Sequence, residues 1–443
     1  MGLFDRLFKT PPGKSPFPNI KLGRYSDSYK KPANYEAWDQ SLHYFESENF
    51  LDAYRKFLIY LRDEEENNVH FQEEEGLIRF EIFQGSKKIE GFATKEKLKA
   101  EAKIARSAQL NVGFMRRLIE KNFTLKYSRF ALDPGNNLTI LFDTYTLDGS
   151  PYKLYYALKE VATNADKLDD LLVEEFKMLQ QINSARITDI PQTEKAVKYQ
   201  FTLQEIQRIE AEMSSGKLSK EQYPGGFAYL LLHLIYKLDF LVHPEGYMME
   251  TLERLHRQYF SNDGKTTVEK NQAMVRELQK LAARPKEEFC KELYLVTFTF
   301  GITTPVNHDR IASFIDSELH NMDWYLENGH EQVALAVPGY IIGYCLFNYA
   351  PPKPDRDLFH LFFLITESRF FHDLGQPHDL VDPQTGALNK KAIKRAIQRI
   401  VEDNKPKYPK LHAATGMLSY QSLPAFAKSF LLMIRNMDMT KID

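Results

Sequence analysis

The period of the apolar residues changes once along this chain, and that change limits the fold more than any other feature. Between Leu77 and Phe142 several stretches alternate at every second position; after Phe201 the alternation all but vanishes and spacings of three and four take over. Leu77, Arg79, Glu81 and Phe83 alternate with Ile78, Phe80 and Ile82, Gly85-Ser86 turns the chain, and residues 89–94 make a return strand. KEKLKAEAKIARS carries two opposed signals. Its Lys, Glu and Ala content favours helix. Yet Leu98, Ala100, Ala102 and Ile104 alternate strictly with Lys99, Glu101 and Lys103, which predicts a half-exposed strand. YSRFALDPGNNLTILFDTY predicts a hairpin, with Phe130 and Leu132 before the Pro-Gly-Asn-Asn turn and Leu138, Ile140 and Phe142 after it.

Helical spacing frames these strands. Trp38, Leu42 and Phe45, then Phe50, Ala53, Tyr54, Phe57, Leu58 and Leu61, predict a helical hairpin broken at Glu48-Asn49. Residues 112–123 predict a helix with Phe114, Met115, Leu118 and Ile119 on one side. A long helix over 150–182 closes the region, with Leu154, Ala157, Leu158 and Val161 on its stripe. The acidic runs at 63–66 and 73–75 read as solvated loop. RFEIFQGSKKIEGFA, NVGFMRRLIEKN, KYSRFALDPGNNLTILFD and KLYYALKEVATNADKLDDLLVEEF together resemble the type III secretion chaperone-like fold in its YbjN-type form, over residues 70–180. The resemblance implies a small α+β binding domain, often dimeric, with no enzymatic centre and no catalytic positions.

RITDIPQTEK, residues 186–195, turns polar and marks a boundary. The expected layout is an extended tether over 1–33, an α+β chaperone-like domain over 34–190 and an all-α domain over 195–443. In the last, Thr202 and Glu205 read as a capping box, and helices are expected near 225–242, 246–260, 268–282, 285–300, 308–327, 332–349, 356–373, 388–403 and 423–437. GFAYLLLHLIYKLDFLV is long enough for the lower edge of a membrane span. Lys237 and Asp239 would each cost about 2.5–3.5 kcal/mol at a bilayer centre, so it reads as a central bundle helix. VALAVPGYIIGYCLFNYAPP reads the same way, with its Pro-Gly pair at the helix start. No transmembrane segment is expected.

A net charge of -2 argues against a nucleic-acid partner. Cys290 and Cys345 sit singly in apolar runs and read as reduced core thiols of a cytoplasmic protein. The sequence displays no phosphate loop, dinucleotide fingerprint or nucleophile elbow, and no cofactor is expected. His308 reads as part of a helix start capped by Asn307 or Asp309. The expected function is therefore non-enzymatic: a chaperone-like adaptor for a protein or peptide, with a homodimer as one form of it. The sheet face bearing Arg79 and Glu81 is wet, while Leu77 and Phe83 need cover that a partner would supply. One alternative is an enzyme or metal protein using His360, Glu367 and His372 on one face of a helix. A second is a peripheral membrane adaptor using the apolar side chains within residues 3–8.

Overall fold

A computed structural model describes residues 20–107, 112–176, 178–182 and 187–441; residues 3–8, with their anchor reading, lie outside the described residues. The first half is α+β. Helices α1 (Pro32–Glu46) and α2 (Phe50–Leu61) pair antiparallel about a turn in which Glu48 takes a left-handed φ of 60°. Strands β1 (Val69–Glu74), β2 (Leu77–Gln84), β3 (Lys87–Thr94), β4 (Lys97–Ser107), β5 (Arg129–Leu132) and β6 (Asn137–Tyr145) form an antiparallel sheet in the order β1-β2-β3-β4-β6-β5. Helix α3 (Val112–Asn122) lies beside β5, and α4 (Pro151–Glu175) covers one sheet face. Ile78, Phe80, Ile82, Ile89 and Ile140 bury against Leu154, Leu158 and Val161 of α4 and against Phe57 of α2. Each such side chain removed from water contributes about 1.5–3 kcal/mol.

The strand reading of residues 98–104 holds, and packing explains why period wins over propensity. Leu98, Ala100, Ala102 and Ile104 are at most 2% exposed and lie under α4, where two alanines let the helix sit close. Three expectations need correction. Of the acidic run at 73–75, Glu73 and Glu74 are not loop but the outer end of the edge strand β1, acidic because an edge benefits from charge. The long helix stops at Glu175, and β7 (Leu179–Gln181) returns to pair with the end of β4. On α3, Ile119 faces solvent rather than the core.

The second half is largely helical: α5 (Gln192–Ser214), α6 (Pro224–Val242), α7 (Gly246–Phe260), α8 (Thr267–Ala282), α9 (Lys286–Lys291), α10 (His308–Leu319), α11 (Asn321–Glu327), α12 (Glu331–Asn348), α13 (Lys353–Thr366), α14 (Ser368–Asp373), α15 (Lys390–Asn404) and α16 (Leu423–Arg435). Two-residue strand pairs join 188–189 to 294–295 and 304–305 to 349–350. Helix α6 is long and apolar enough to cross a membrane by length and composition, and 89% of that window is buried inside the fold. Helix α12 crosses it closely. A Cβ on Gly339 would stand 2.4 Å from the His233 ring, and one on Gly343 would stand 2.6 Å from Tyr236. The Pro338-Gly339 pair is thus interior to α12 and not its start. Thr202 likewise lies inside α5, where its hydroxyl donates to the Lys198 carbonyl at 2.9 Å; it caps nothing.

The expected helix over 285–300 is only α9; the chain beyond it runs out onto the sheet half. Gly85 N–H donates to the Thr297 carbonyl at 2.9 Å, and Gln84 Oε1 accepts from the N–H of Thr299 and Phe300 at 3.2 and 2.9 Å. Phe300 is buried in the first core, 5.7 Å from Tyr155 between ring centres. Residues 20–31 run back along the junction as a strap. Gly23 N–H donates to the Phe240 carbonyl at 2.8 Å, Tyr25 stacks on Phe298, and Tyr29 Oη donates to the Pro351 carbonyl at 2.7 Å.

Candidate functional site

The uncovered sheet face is a field of ion pairs. Across the strands Arg79 stands opposite Phe92 and Phe92 opposite Lys99, and in the next row Glu81 stands opposite Glu90 and Glu90 opposite Glu101. Lys88 holds Glu81 and Glu90 at 2.8 and 2.7 Å, Lys99 holds Glu101 at 2.7 Å, and Arg79 lies 3.9 Å from Glu74. Lys97 sits over the Phe92 ring at 5.6 Å. Such exposed pairs contribute about 0–1 kcal/mol each; they make a wet surface rather than a docking core. Leu77 is half-buried at the far end. Phe83 is buried, and its carbonyl accepts from Thr299 Oγ1 at 2.8 Å. Phe83 is thus covered within the chain, with the His70 ring of β1 5.5 Å from its own.

A different surface is apolar and open. On α4, Tyr152 and Tyr156 lie one turn apart on the side away from Leu154 and Leu158, and each is 57% exposed. Tyr152 meets the Trp38 edge at 5.0 Å, Trp38 rests on Tyr60 at 4.7 Å, and Tyr155 meets Tyr156 at 5.3 Å. Tyr35, Tyr145 and Leu147 are exposed as well. The rings are braced from behind: Tyr155 Oη donates to Asp27 at 2.6 Å, which ties the seam to the strap. One turn further along α4, Glu160 accepts the N–H groups of Lys126, Tyr127 and Ser128 at 2.8–2.9 Å, and those bonds hold its carboxyl below the usual range against the opposing effect of burial. The tyrosines escaped notice in the sequence because the apolar stripe of α4 drew attention to its other side. The signal was there: two aromatics four apart on a face otherwise made of Lys and Glu.

Between the halves, beside the strap, lies a cleft of about 800 Å³ lined from both sides, by Lys30, Asn34, Arg62 and Asp63 on one and by Phe240, His243, Tyr349, Arg356 and His360 on the other. His243 and His360 are held down to about 3, burial first and neighbouring cations second. Arg24 anchors the strap beneath it: Nη2 and Nε reach Asp239 at 2.7 and 2.9 Å, Nη1 reaches Glu253 at 3.2 Å, and the guanidinium lies 3.6 Å over the Phe347 ring.

His360, Glu367 and His372 go to different surroundings. His360 lies against Phe240 in the cleft wall. Glu367 turns inward and meets Lys237 at 2.7 Å, and Glu205 meets the same ammonium at 2.8 Å. Lys237 and Arg208 draw Glu205 down to about 2 despite burial, whereas burial pushes Glu367 up. His372 is exposed on α14 beside Asp373. Among the described residues no three His, Cys, Asp or Glu side chains are grouped to hold a metal. Asn307 caps α10 by accepting from Arg310 N–H at 3.1 Å, and His308 Nδ1 lies 2.9 Å from Asp355. The thiol nearby, Cys345, is fully buried and its pKa is pushed up by that burial, so the group has no exposed nucleophile. Compared with known proteins, the chain matches no family model and no curated protein.

Proposed function

We propose that this chain is a cytoplasmic, non-enzymatic protein-binding adaptor that presents its α+β half to a polypeptide partner and uses the helical half as a rigid platform. The observation that carries the reading is the exposed tyrosine seam of α1 and α4. Large aromatic side chains held rigid in the open are costly to leave in water and are the residues that dominate protein interfaces. Trp38, Tyr152 and Tyr156 are fixed by ring contacts, so docking on them freezes little motion. The resemblance of residues 70–180 to secretion chaperone-like domains points the same way. Free Cys290 and Cys345 support a reducing compartment.

The experiment places a photo-crosslinking amino acid at Tyr156 and, separately, at Lys103 on the wet sheet face, in living cells. The expected result is a discrete heavier species from position 156, lost when Tyr152→Ser is added, and none from 103. Equal yield at both positions, or none at 156, overturns the proposal.

A further inference from the structure

The cleft wall contains polar groups with nothing to bond. Arg356 Nε and Thr303 Oγ1 are both buried, both belong to cleft-lining residues, and neither has a hydrogen-bond partner among the described residues. A buried donor left unmade costs about 1–3 kcal/mol, and such groups in native folds call for an explanation. The cations nearby are only partly answered, Lys30 by the fields of Asp27 and Asp63 and Arg356 by Asp357. Lys30 Nζ reaches only the Leu61 carbonyl, at 3.3 Å, and the Tyr60 ring, at 5.0 Å, and makes no ion pair among the described residues. Arg356 lies 4.1 Å over the Tyr29 ring; its nearest carboxylate, Asp357, stands 3.6 Å away and is already held by Lys353 at 2.5 Å.

Most acids of the cleft, Glu65 excepted, have other partners among the described residues. Glu66 pairs with Lys21 at 2.8 Å and Glu64 with Lys31 at 3.4 Å. Asp63 accepts the N–H groups of Glu65 and Glu66, and Asp27 accepts from Tyr155. The lining holds seven lysine and arginine side chains against five acids, so the cleft carries an excess of cations. The rings of Tyr29, Phe240, Phe298 and Tyr349 line it as well.

We infer that the cleft is a binding site for a small organic anion with a ring body. Its carboxylate, sulfonate or phosphate group sits between Lys30 and Arg356 and accepts from Arg356 Nε and the Thr303 hydroxyl, while its ring packs among the aromatic side chains. A volume of about 800 Å³ is in the range of sites for ligands of that size. The inference stands apart from the protein-binding reading, which uses Tyr152 and Tyr156, neither of which lines the cleft.

The test uses the full chain and the fluorescent anion 1-anilinonaphthalene-8-sulfonate, with uncharged N-phenyl-1-naphthylamine as its control. The expected result is one sulfonate probe bound per chain, about tenfold more weakly in Arg356→Gln and in Lys30→Gln, the loss of one charge-assisted bond. Tyr152→Ser with Tyr156→Ser leaves that binding unchanged. Circular dichroism checks each fold, and Lys30→Gln or Thr303→Val decides the matter should Arg356→Gln unfold. Equal binding of the uncharged amine, wild-type affinity in the folded variants, or loss of the signal in the tyrosine variant would each overturn the assignment.

Discussion

Acidification from pH 7 to pH 5 is expected to weaken the helical half and leave the sheet half nearly untouched. His233, His243 and His360 are all neutral in the fold: burial holds His233 well below its ordinary 6.5 and holds the other two down to about 3. In the unfolded chain each takes up a proton near pH 6.5. The unfolded state therefore binds more protons than the folded one below that pH, and stability falls as pH falls. For one group with these values the loss between pH 7 and pH 5 is about 2 kcal/mol. With His256 of α7, which burial holds down to about 4, four groups set a ceiling of about 8 kcal/mol, lowered because His243, His256 and His360 keep some water. His308 works the other way: the side chain of Asp355 outweighs burial and raises it, so its contribution is full below pH 6.5 and is lost only as pH rises. Glu367 and Asp355, raised by burial, also gain from acid, whereas depressed Glu205 and Glu253 lose stability only below about pH 4.5. The two tryptophans divide the readout, since Trp38 lies on α1 and Trp324 on α11. Urea unfolding of Trp38→Phe, which keeps Trp324, should lose a few kcal/mol at pH 5, and His233→Gln should remove about a quarter of the loss. A midpoint unchanged between pH 7 and pH 5, or one that shifts only in the Trp38 signal, would refute the reasoning.

Phe300→Ala empties a fully buried ring from the first core and should cost about 3–5 kcal/mol, measured through Trp38 in urea although residue 300 belongs to the second half by sequence. Arg24→Ala leaves Asp239 buried without its bidentate partner and should cost about 3–5 kcal/mol; Arg24→Lys should recover only part of it, because an ammonium cannot make the fork, and calorimetry of the two variants checks the difference. Gly339→Ala drives a methyl into the His233 ring and should cost about 1–3 kcal/mol by chemical denaturation, while Gly225→Ala, with open space around its Cα, is the control that should cost far less.

What the sequence conveys is burial on one side of one element. The alternation in 98–104 revealed β4 against a helix-favouring composition because α4 covers a single face. Edge strand β1 was hidden for the same reason: only Val69 is buried, and its acidic outer end reads as loop. Strand β7 is too short to show a period at all. The junction left no local trace either. Gln84 meets Thr299 and Phe300 across more than two hundred residues, and nothing near either end of that contact repeats. Proline and glycine before residue 34 read as an extended tether, and residues 20–31 are pinned along the junction by Gly23, Arg24, Tyr25 and Tyr29, a separate anchor at each.

The site was hard to read for a related reason. Arg79 and Glu81 were visible as a wet face because strand geometry alone places them; Lys30 and Arg356 were not, because only the folded junction brings residues so far apart to one cleft. The charges of α6 show how much such a junction changes the meaning of a residue. In the sequence, Lys237 and Asp239 are costs that disfavour a membrane span. In the fold, Lys237 joins α5 to α13 through Glu205 and Glu367, and Asp239 receives Arg24 from the strap. Buried pairs of this kind add little net stability over a hydrophobic replacement, but removing one partner is expensive. They therefore act less as glue than as a requirement: the bundle around α6 is satisfied only with the strap in place, and the strap in turn forms one wall of the cleft. Lys30 and Tyr29 of the cleft thus belong to the same twelve-residue segment, 20–31, whose Arg24 answers the buried acids of the bundle.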